Sequence, residues 1–405
     1  MSKRIFRLFV VVVSAAIFLS GCLNIGSSAP PPANGLTLAP GDGQITVSWD
    51  TSPNLEYWLF YAPASSISTD NWSSVAGGRA LIKVSSPYVL TGLTNGVTYA
   101  FTLNARTDGG PGGAGTPSVS AVPRLSGSAW LAGAPLGAGD LRGVTYGSVH
   151  IAVGLGGAMH SSSDGKSWSP MSPVTSSNLN GAVFGNGLYL AVGTGGTVLH
   201  SADALAWTTQ PSGINDDLYA VASNRVSLNV AVGANGKIIR SADGKTWSVA
   251  ANSATSSNLY GVAYTSYGSG MWVAVGAGGT IITSTDASNW TVVASGTTAD
   301  LRGTAYYPTA GAGAFSAVGA SGTLVTSPDG ASWTARPPLT TATLNAVTYG
   351  TQFVAVGNGG AVLTSADGIG WTTQSSGSTS NLYAIEHALY SYSAVGAGGA
   401  NLYSQ

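Results

Sequence analysis

One short unit recurs along most of the chain and constrains its fold more than any other feature. An Ala-Val-Gly triplet ends at Gly154, Gly193, Gly233, Gly276, Gly319, Gly357 and Gly396, at spacings of 39, 40, 43, 43, 38 and 39 residues. A period of about 40 residues without a helical pattern gives each repeat room for four short strands, the composition of one β-propeller blade.

Each repeat divides into four predicted strands. The first follows Leu-x-(Gly/Ala)-Val-x-(Tyr/Phe), as in Leu141 to Tyr146, Leu179 to Phe184 and Leu259 to Tyr264. The second carries Ala-Val-Gly, often led by an aromatic residue: Tyr189, Trp272, Phe315, Phe353 or Tyr392. Both of its alternating faces are apolar or small, which suits a sheet packed between two neighbours. A Gly-x-(Gly/Asn/Ser)-Gly turn follows, for instance Gly233 to Gly236, where positive φ is expected. The third strand runs into Ser-x-Asp-Gly-x-x-Trp or a close variant, and the tryptophan opens the fourth.

That last motif stands at Ser162/Asp164/Trp168, Ser201/Asp203/Trp207, Ser241/Asp243/Trp247, Ser284/Asp286/Trp290, Ser327/Asp329/Trp333 and Ser365/Asp367/Trp371. It resembles the Asp box of sialidase-like (BNR) propellers, with the glycine one position early. Six carboxylates at one radius of a ring cannot converge on one site. They are therefore expected to accept backbone N–H groups at turns, with each tryptophan packed between blades. The wider pattern, over residues 128–405, looks like the photosystem II assembly-factor family of seven-bladed propellers. That resemblance implies non-enzymatic binding of partner polypeptides. The family's arginine patch carries over only at Arg142 and Arg302.

The chain stops at Ser404-Gln405, where a seventh box would begin. At the other end, Trp130 precedes Leu141 by 11 residues, the spacing of Trp168 to Leu179 and Trp371 to Leu382. The strand around Ser128 to Ala132 is thus predicted to be the outer strand of the last blade, closing the ring and removing an exposed edge. The expected fold is all-β: a fibronectin type III sandwich plus a seven-bladed β-propeller closed by pairing of N- and C-terminal strands.

Upstream of the repeats the chain reads as three segments. Residues 1–22 pattern as a secretory leader, with Lys3, Arg4 and Arg7 before an apolar run from Leu8 to Leu19 that is too short to span a membrane. The leader ends in Leu19-Ser20-Gly21-Cys22, which resembles a bacterial lipobox. The resemblance implies lipidation at Cys22, the only cysteine, and a lipid-anchored place in the cell envelope, at the outer membrane or cell surface. Residues 23–35, with Pro30-Pro31-Pro32, read as a tether. Residues 36–124 show short alternating strands such as Gln44 to Trp49. This segment resembles a fibronectin type III domain: Trp49 matches the core tryptophan, and Leu93 and Tyr99 match the tyrosine-corner pair. The segment is expected to act as a spacer, leaving residues 125–405 as the propeller.

Charge narrows the partners. Only 8% of residues are charged and the formal net charge is −1. Loss of Lys3, Arg4 and Arg7 from the 15 cations leaves 12 against 16 acidic residues, so nucleic acid is not an expected partner.

Candidate ligand-binding residues sit where the repeats differ. The residue before each leading leucine is nearly uniform (Asp140, Asn178, Asp217, Asn258, Asp300, Thr343, Asn381), which points to a turn-forming role. The residue after it varies: Arg142, Asn180, Tyr219, Tyr260, Arg302, Asn345, Tyr383. Variation at a fixed position of a repeated scaffold is where function is written, and Arg, Tyr and Asn suit a peptide or sugar. The expected function is non-catalytic binding of a protein or polysaccharide across this rim. A glycoside hydrolase and a purely structural surface component are the rivals. Hydrolysis needs two carboxylates at a defined separation, yet Glu occurs only at Glu56 and Glu386, while Asp140, Asp217 and Asp300 fall two repeats apart. His150, His160, His200 and His387 lack ligand spacing, and His160 sits in a third-strand slot apolar elsewhere, as expected of a core histidine. No metal or cofactor is expected.

Overall fold

The computed structural model describes residues 35–404 apart from 138, 267–269, 310–311 and 389. Cys22 and the rest of the leader lie outside the described residues. The described chain is all-β, its helical content confined to single 3-10 turns. It falls into two compact units, one comprising Val47–Tyr88 and Thr98–Ser120, the other Ala39–Thr46, Val89–Val97 and Ala121–Gln405.

The first unit carries a four-stranded antiparallel sheet in the order Arg79–Val84, Glu56–Ala62, Tyr99–Arg106, Val119–Ala121. Leu59, Phe101 and Leu103 are wholly buried, and the Trp49 ring lies 5.7 Å from that of Tyr57. A three-stranded sheet is formed by Thr37–Gly41, Gln44–Ser48 and Tyr88–Thr91. In its central strand Ile45 and Val47 are buried while their neighbours are half-exposed, the alternation of a strand with one covered face.

Among the described residues, the second unit holds seven four-stranded antiparallel sheets. Their inner strands are Leu141–Tyr146, Leu179–Gly185, Leu218–Ser223, Leu259–Thr265, Leu301–Thr309, Leu344–Tyr349 and Leu382–Ala388. Each inner strand packs against the next in chain order, and the seventh packs against the first. Burial falls from second strand to fourth. All five residues of His150–Gly154 and of Phe353–Gly357 are buried, whereas both residues of Ser169–Pro170 and of Ser248–Val249 are exposed. The second strand is thus enclosed on both faces, which explains why its sequence does not alternate. The aromatic residues that lead it are buried almost completely: Tyr189, Trp272, Phe315, Phe353 and Tyr392. Each contributes about 2–3 kcal/mol of transfer free energy.

The Gly-x-x-Gly segments are 3-10 turns in which two successive residues take positive φ, as at Asn235 (54°) and Gly236 (67°). A Cβ on Gly236 would stand 2.1 Å from the Thr255 carbonyl oxygen, so glycine is required there.

The six Asp-box carboxylates serve their own turns. Asp243 Oδ1 accepts the N–H groups of Lys245 (2.9 Å) and Thr246 (2.7 Å) and a hydrogen bond from Ser241 Oγ (3.0 Å). The same three contacts recur at Asp164, Asp203, Asp286, Asp329 and Asp367. The N–H of Thr246, then that of Lys245, holds the Asp243 carboxyl well below the usual carboxylate range.

A seventh turn of this kind, with Ser126 in the place of the aspartate, is assembled from the two ends of the repeat region. Ser404 Oγ accepts the Gly127 N–H (2.6 Å), as Ser365 Oγ accepts that of Gly368 (2.9 Å). Trp130 Nε1 donates to the Gly127 carbonyl, as Trp371 Nε1 does to that of Gly368. Leu131 and Ala132 pair with Tyr403 and Leu402, so the outer strand of the seventh sheet precedes all the others in sequence. Trp130 is buried in one cluster with Leu382, Ile385, Tyr392 and Leu402.

His160 departs from its expected place. It is half-buried rather than in a core, its Nδ1 has no hydrogen-bond partner among the described residues, and burial pushes its imidazole down.

Candidate functional site

The residue after each leading leucine is the extra residue of a β-bulge. In the second sheet Leu179 pairs with Gly193 and Gly181 with Val192, which leaves Asn180 outside the ladder. The same slip isolates Arg142, Tyr219, Tyr260, Arg302, Asn345 and Tyr383. A bulge bends its strand and re-aims one side chain. Repeated seven times, it turns seven side chains to one end of the inner strands, where they line a mouth of ≈ 330 Å³.

The following small residue lets neighbouring inner strands approach closely. A Cβ on Gly181 would lie 3.0 Å from the Tyr219 carbonyl oxygen, and one on Gly303 would lie 3.0 Å from Ala346 Cα. With the apolar residue after it (Val144, Val221, Val262, Val347 or Ile385), this position forms the wall of a ≈ 310 Å³ cavity below the mouth. Among the described residues no acidic side chain lines either part, and Arg142 and Arg302 are the cations that do.

The seven rim residues divide by how they are held. The Arg142 guanidinium lies 6.0 Å from the Tyr383 ring centroid and that of Arg302 lies 5.4 Å from Tyr260. Both arginines are exposed, so ring faces orient them while their N–H edges stay available. Tyr219 and Tyr260 lie 5.5 Å apart, and burial, then Asp217, pushes the Tyr219 phenol up. The two asparagines are spent partly on structure. Asn180 Nδ2 donates to the Leu218 carbonyl (2.9 Å), and Asn345 Nδ2 donates to the Leu382 carbonyl and to Asn358 Oδ1 (both 2.8 Å).

At six of the seven positions, all but Thr343, the residue before the leucine ties adjacent sheets together. Asn178 Oδ1 accepts the N–H of Gly156, Asp217 that of Gly195, Asn258 that of Asn235, Asp300 that of Gly278 and Asn381 that of Gly359. Asp140 accepts that of Gly398, so the same tie joins the last sheet to the first. These carboxylates are committed to turns of the preceding sheet, as their near-uniformity suggests.

One pair escaped the sequence reading. His150 Nδ1 and Glu386 Oε1 lie 2.5 Å apart, both buried, where the first and seventh sheets meet. The available signal was that each breaks the repeat: Glu386 stands where other repeats have Thr145, Val183, Ala222, Ala263, Ala305 and Thr348, and His150 stands where most have an aromatic residue.

A larger depression (≈ 560 Å³) is lined by Pro135, Leu136, His160, Lys166, Trp168 and Pro170 among others. It collects side chains from the first sheet and the segment leading into it alone, and Lys166 is engaged over Tyr403. Among the described residues no group of three or more His, Cys, Asp or Glu side chains could hold a metal ion.

No family model and no curated protein matches the chain. Solved structures do. A structure of YCF48 bound to D1 peptide superposes with a TM-score of 0.57 at 20% identity, covering 70% of this chain and 99% of that one. YCF48 from Cyanidioschyzon merolae gives 0.54 at 16% identity, covering 68% and 98%. The WD40 β-propeller domain of Doa1 gives 0.55 at 10% identity, covering 69% and 97%. The fold is a β-propeller. The likeness to the photosystem II assembly-factor propellers expected from the repeat holds at the level of fold, and WD40 propellers share it.

Proposed function

We propose that residues 125–405 form a seven-bladed propeller joined at its ends by Leu131–Ala132, and that its rim binds a segment of a partner polypeptide without catalysis. One observation carries this reading. Seven bulged side chains, two of them arginines laid against tyrosine rings, converge on one mouth with no carboxylate among its lining residues. Such a mouth offers stacking faces and guanidinium edges to backbone carbonyls and carboxylates. That YCF48 has been seen with a bound peptide supports a peptide over a polysaccharide here. The rival hydrolase would need two carboxylates at the cavity. Glu386 is instead turned to His150, and Asp140, Asp217 and Asp300 are held by turns.

Within the same proposal, residues 36–124 are a fibronectin type III spacer and residues 1–22 deliver a lipoprotein anchored through Cys22 to the envelope. A photo-crosslinking residue placed at Tyr219 in the full-length protein tests the binding claim in cells. A discrete, protease-sensitive adduct, lost when Arg142 and Arg302 are both alanine, is the expected result. A glycan adduct, or none, would contradict it.

A further inference from the structure

The junction between the last and first sheets differs chemically from the other six. Glu386 lies on the inner strand of the seventh sheet and His150 on the second strand of the first. Beside them, Ser393 Oγ donates to the Gly165 carbonyl and Asn401 Nδ2 to that of Lys166, both at 3.4 Å. Asn401 fills a slot held by Met159, Val198, Ile238, Ile281, Leu324 or Val362 in the other sheets. Polar groups therefore concentrate where the chain's two ends meet. They are incompletely satisfied, since the buried Glu386 Oε2 and Asn401 Oδ1 have no hydrogen-bond partner among the described residues. A buried carboxylate without full compensation costs more than a neutral group such as the buried Asn229 or Ser316 of other sheets, so this junction carries less margin than the others.

We propose that the Glu386–His150 pair is a one-proton latch on this junction: with one proton shared between the two groups the sheets stay together, and loss of that proton loosens this junction before any other. The groups around the pair leave the proton to it. Tyr146 packs on His150 at 4.6 Å between rings, and Trp168 lies at 6.1 Å. His387 turns to Tyr392, Asp164 is held by its own turn, and Lys166 lies over Tyr403.

Burial pushes the Glu386 carboxyl up, opposed by its hydrogen bond to His150. A carboxyl in the unfolded chain titrates at about 4.3. The stability contributed by the proton that the folded site retains is therefore full below about pH 4.3 and is lost as pH rises through the raised folded value. Nδ1 and Oε1 at this separation need one proton between them, and its loss sets two lone pairs against each other in a buried site.

Hydrogen exchange of the full-length protein, read as protection factors corrected for intrinsic rate, tests the latch. From pH 6 to pH 9, protection of Leu382–Ala388 and Asn401–Ser404 should fall at least tenfold relative to Leu218–Ser223 of the third sheet. In Glu386→Gln, which keeps shape and hydrogen bonding without the carboxylate, that alkaline loss should vanish. In the His150→Phe/Glu386→Val double variant, which restores residue types of the other junctions, the profile should be flat. Equal behaviour of the two regions in the unsubstituted protein, or an undiminished alkaline loss in Glu386→Gln, would overturn the proposal. The unsubstituted protein decides the matter even if a variant fails to fold.

Discussion

Replacing Trp130 with alanine tests whether the segment before the first repeat belongs to the seventh sheet. The ring is 8% exposed and shares a buried cluster with Leu382, Ile385, Tyr392 and Leu402. Truncating a buried tryptophan to alanine costs about 3–5 kcal/mol. The lost Nε1 bond to the Gly127 carbonyl adds about 1 kcal/mol. For a domain of this size each kcal/mol lowers Tm by roughly 2–4 °C, so a fall of about 8–24 °C is expected by circular dichroism or calorimetry. Leu131→Ala, in the same segment but at a side chain 57% exposed, should cost under about 0.5 kcal/mol. A Trp130→Ala shift below about 3 °C would refute the reasoning, because the segment would then not be packed into the seventh sheet in solution.

Other substitutions probe other layers of the account. Gly303→Val places a branched side chain 3.0 Å from Ala346 Cα and should destabilise by about 1–3 kcal/mol in urea titrations, whereas an unchanged midpoint would mean that the inner strands do not approach so closely. Asp243→Asn removes a carboxylate whose pKa is held down by backbone N–H groups. Its stabilisation is full above the unfolded value of about 3.9 and is lost as pH falls, so the gap in Tm between variant and parent should shrink from pH 5 to pH 2. A gap that widens on acidification would contradict the turn role.

The scaffold was legible because it is repeated. The Ala-Val-Gly strands, the box motif and the 11-residue offset of Trp130 from Leu141 each signal backbone geometry through residue type. The rim was legible for the opposite reason: at one position the scaffold tolerates Arg, Asn or Tyr, and the structure shows that this position is a bulge. What the pattern could not supply was the commitment of Asn180 and Asn345 to neighbouring carbonyls, which depends on the approach of adjacent sheets. Nor could it join His150 to Glu386, which are 236 residues apart and meet only because the first and last sheets are adjacent. His160 was misplaced because its slot is apolar in the other sheets, whereas here it stands beside the open depression outside the first sheet.

The central claim is that the bulged rim residues bind a polypeptide. It is tested most directly by the affinity of the cross-linked partner segment for the unsubstituted protein and for the Arg142→Ala/Tyr219→Ala/Arg302→Ala variant, with Tm measured on both. Arginine and tyrosine anchors at the centre of an interface cost about 2 kcal/mol or more each on truncation, so the account predicts a loss of at least about 100-fold at unchanged Tm. An affinity within about threefold of the parent would place the binding surface elsewhere.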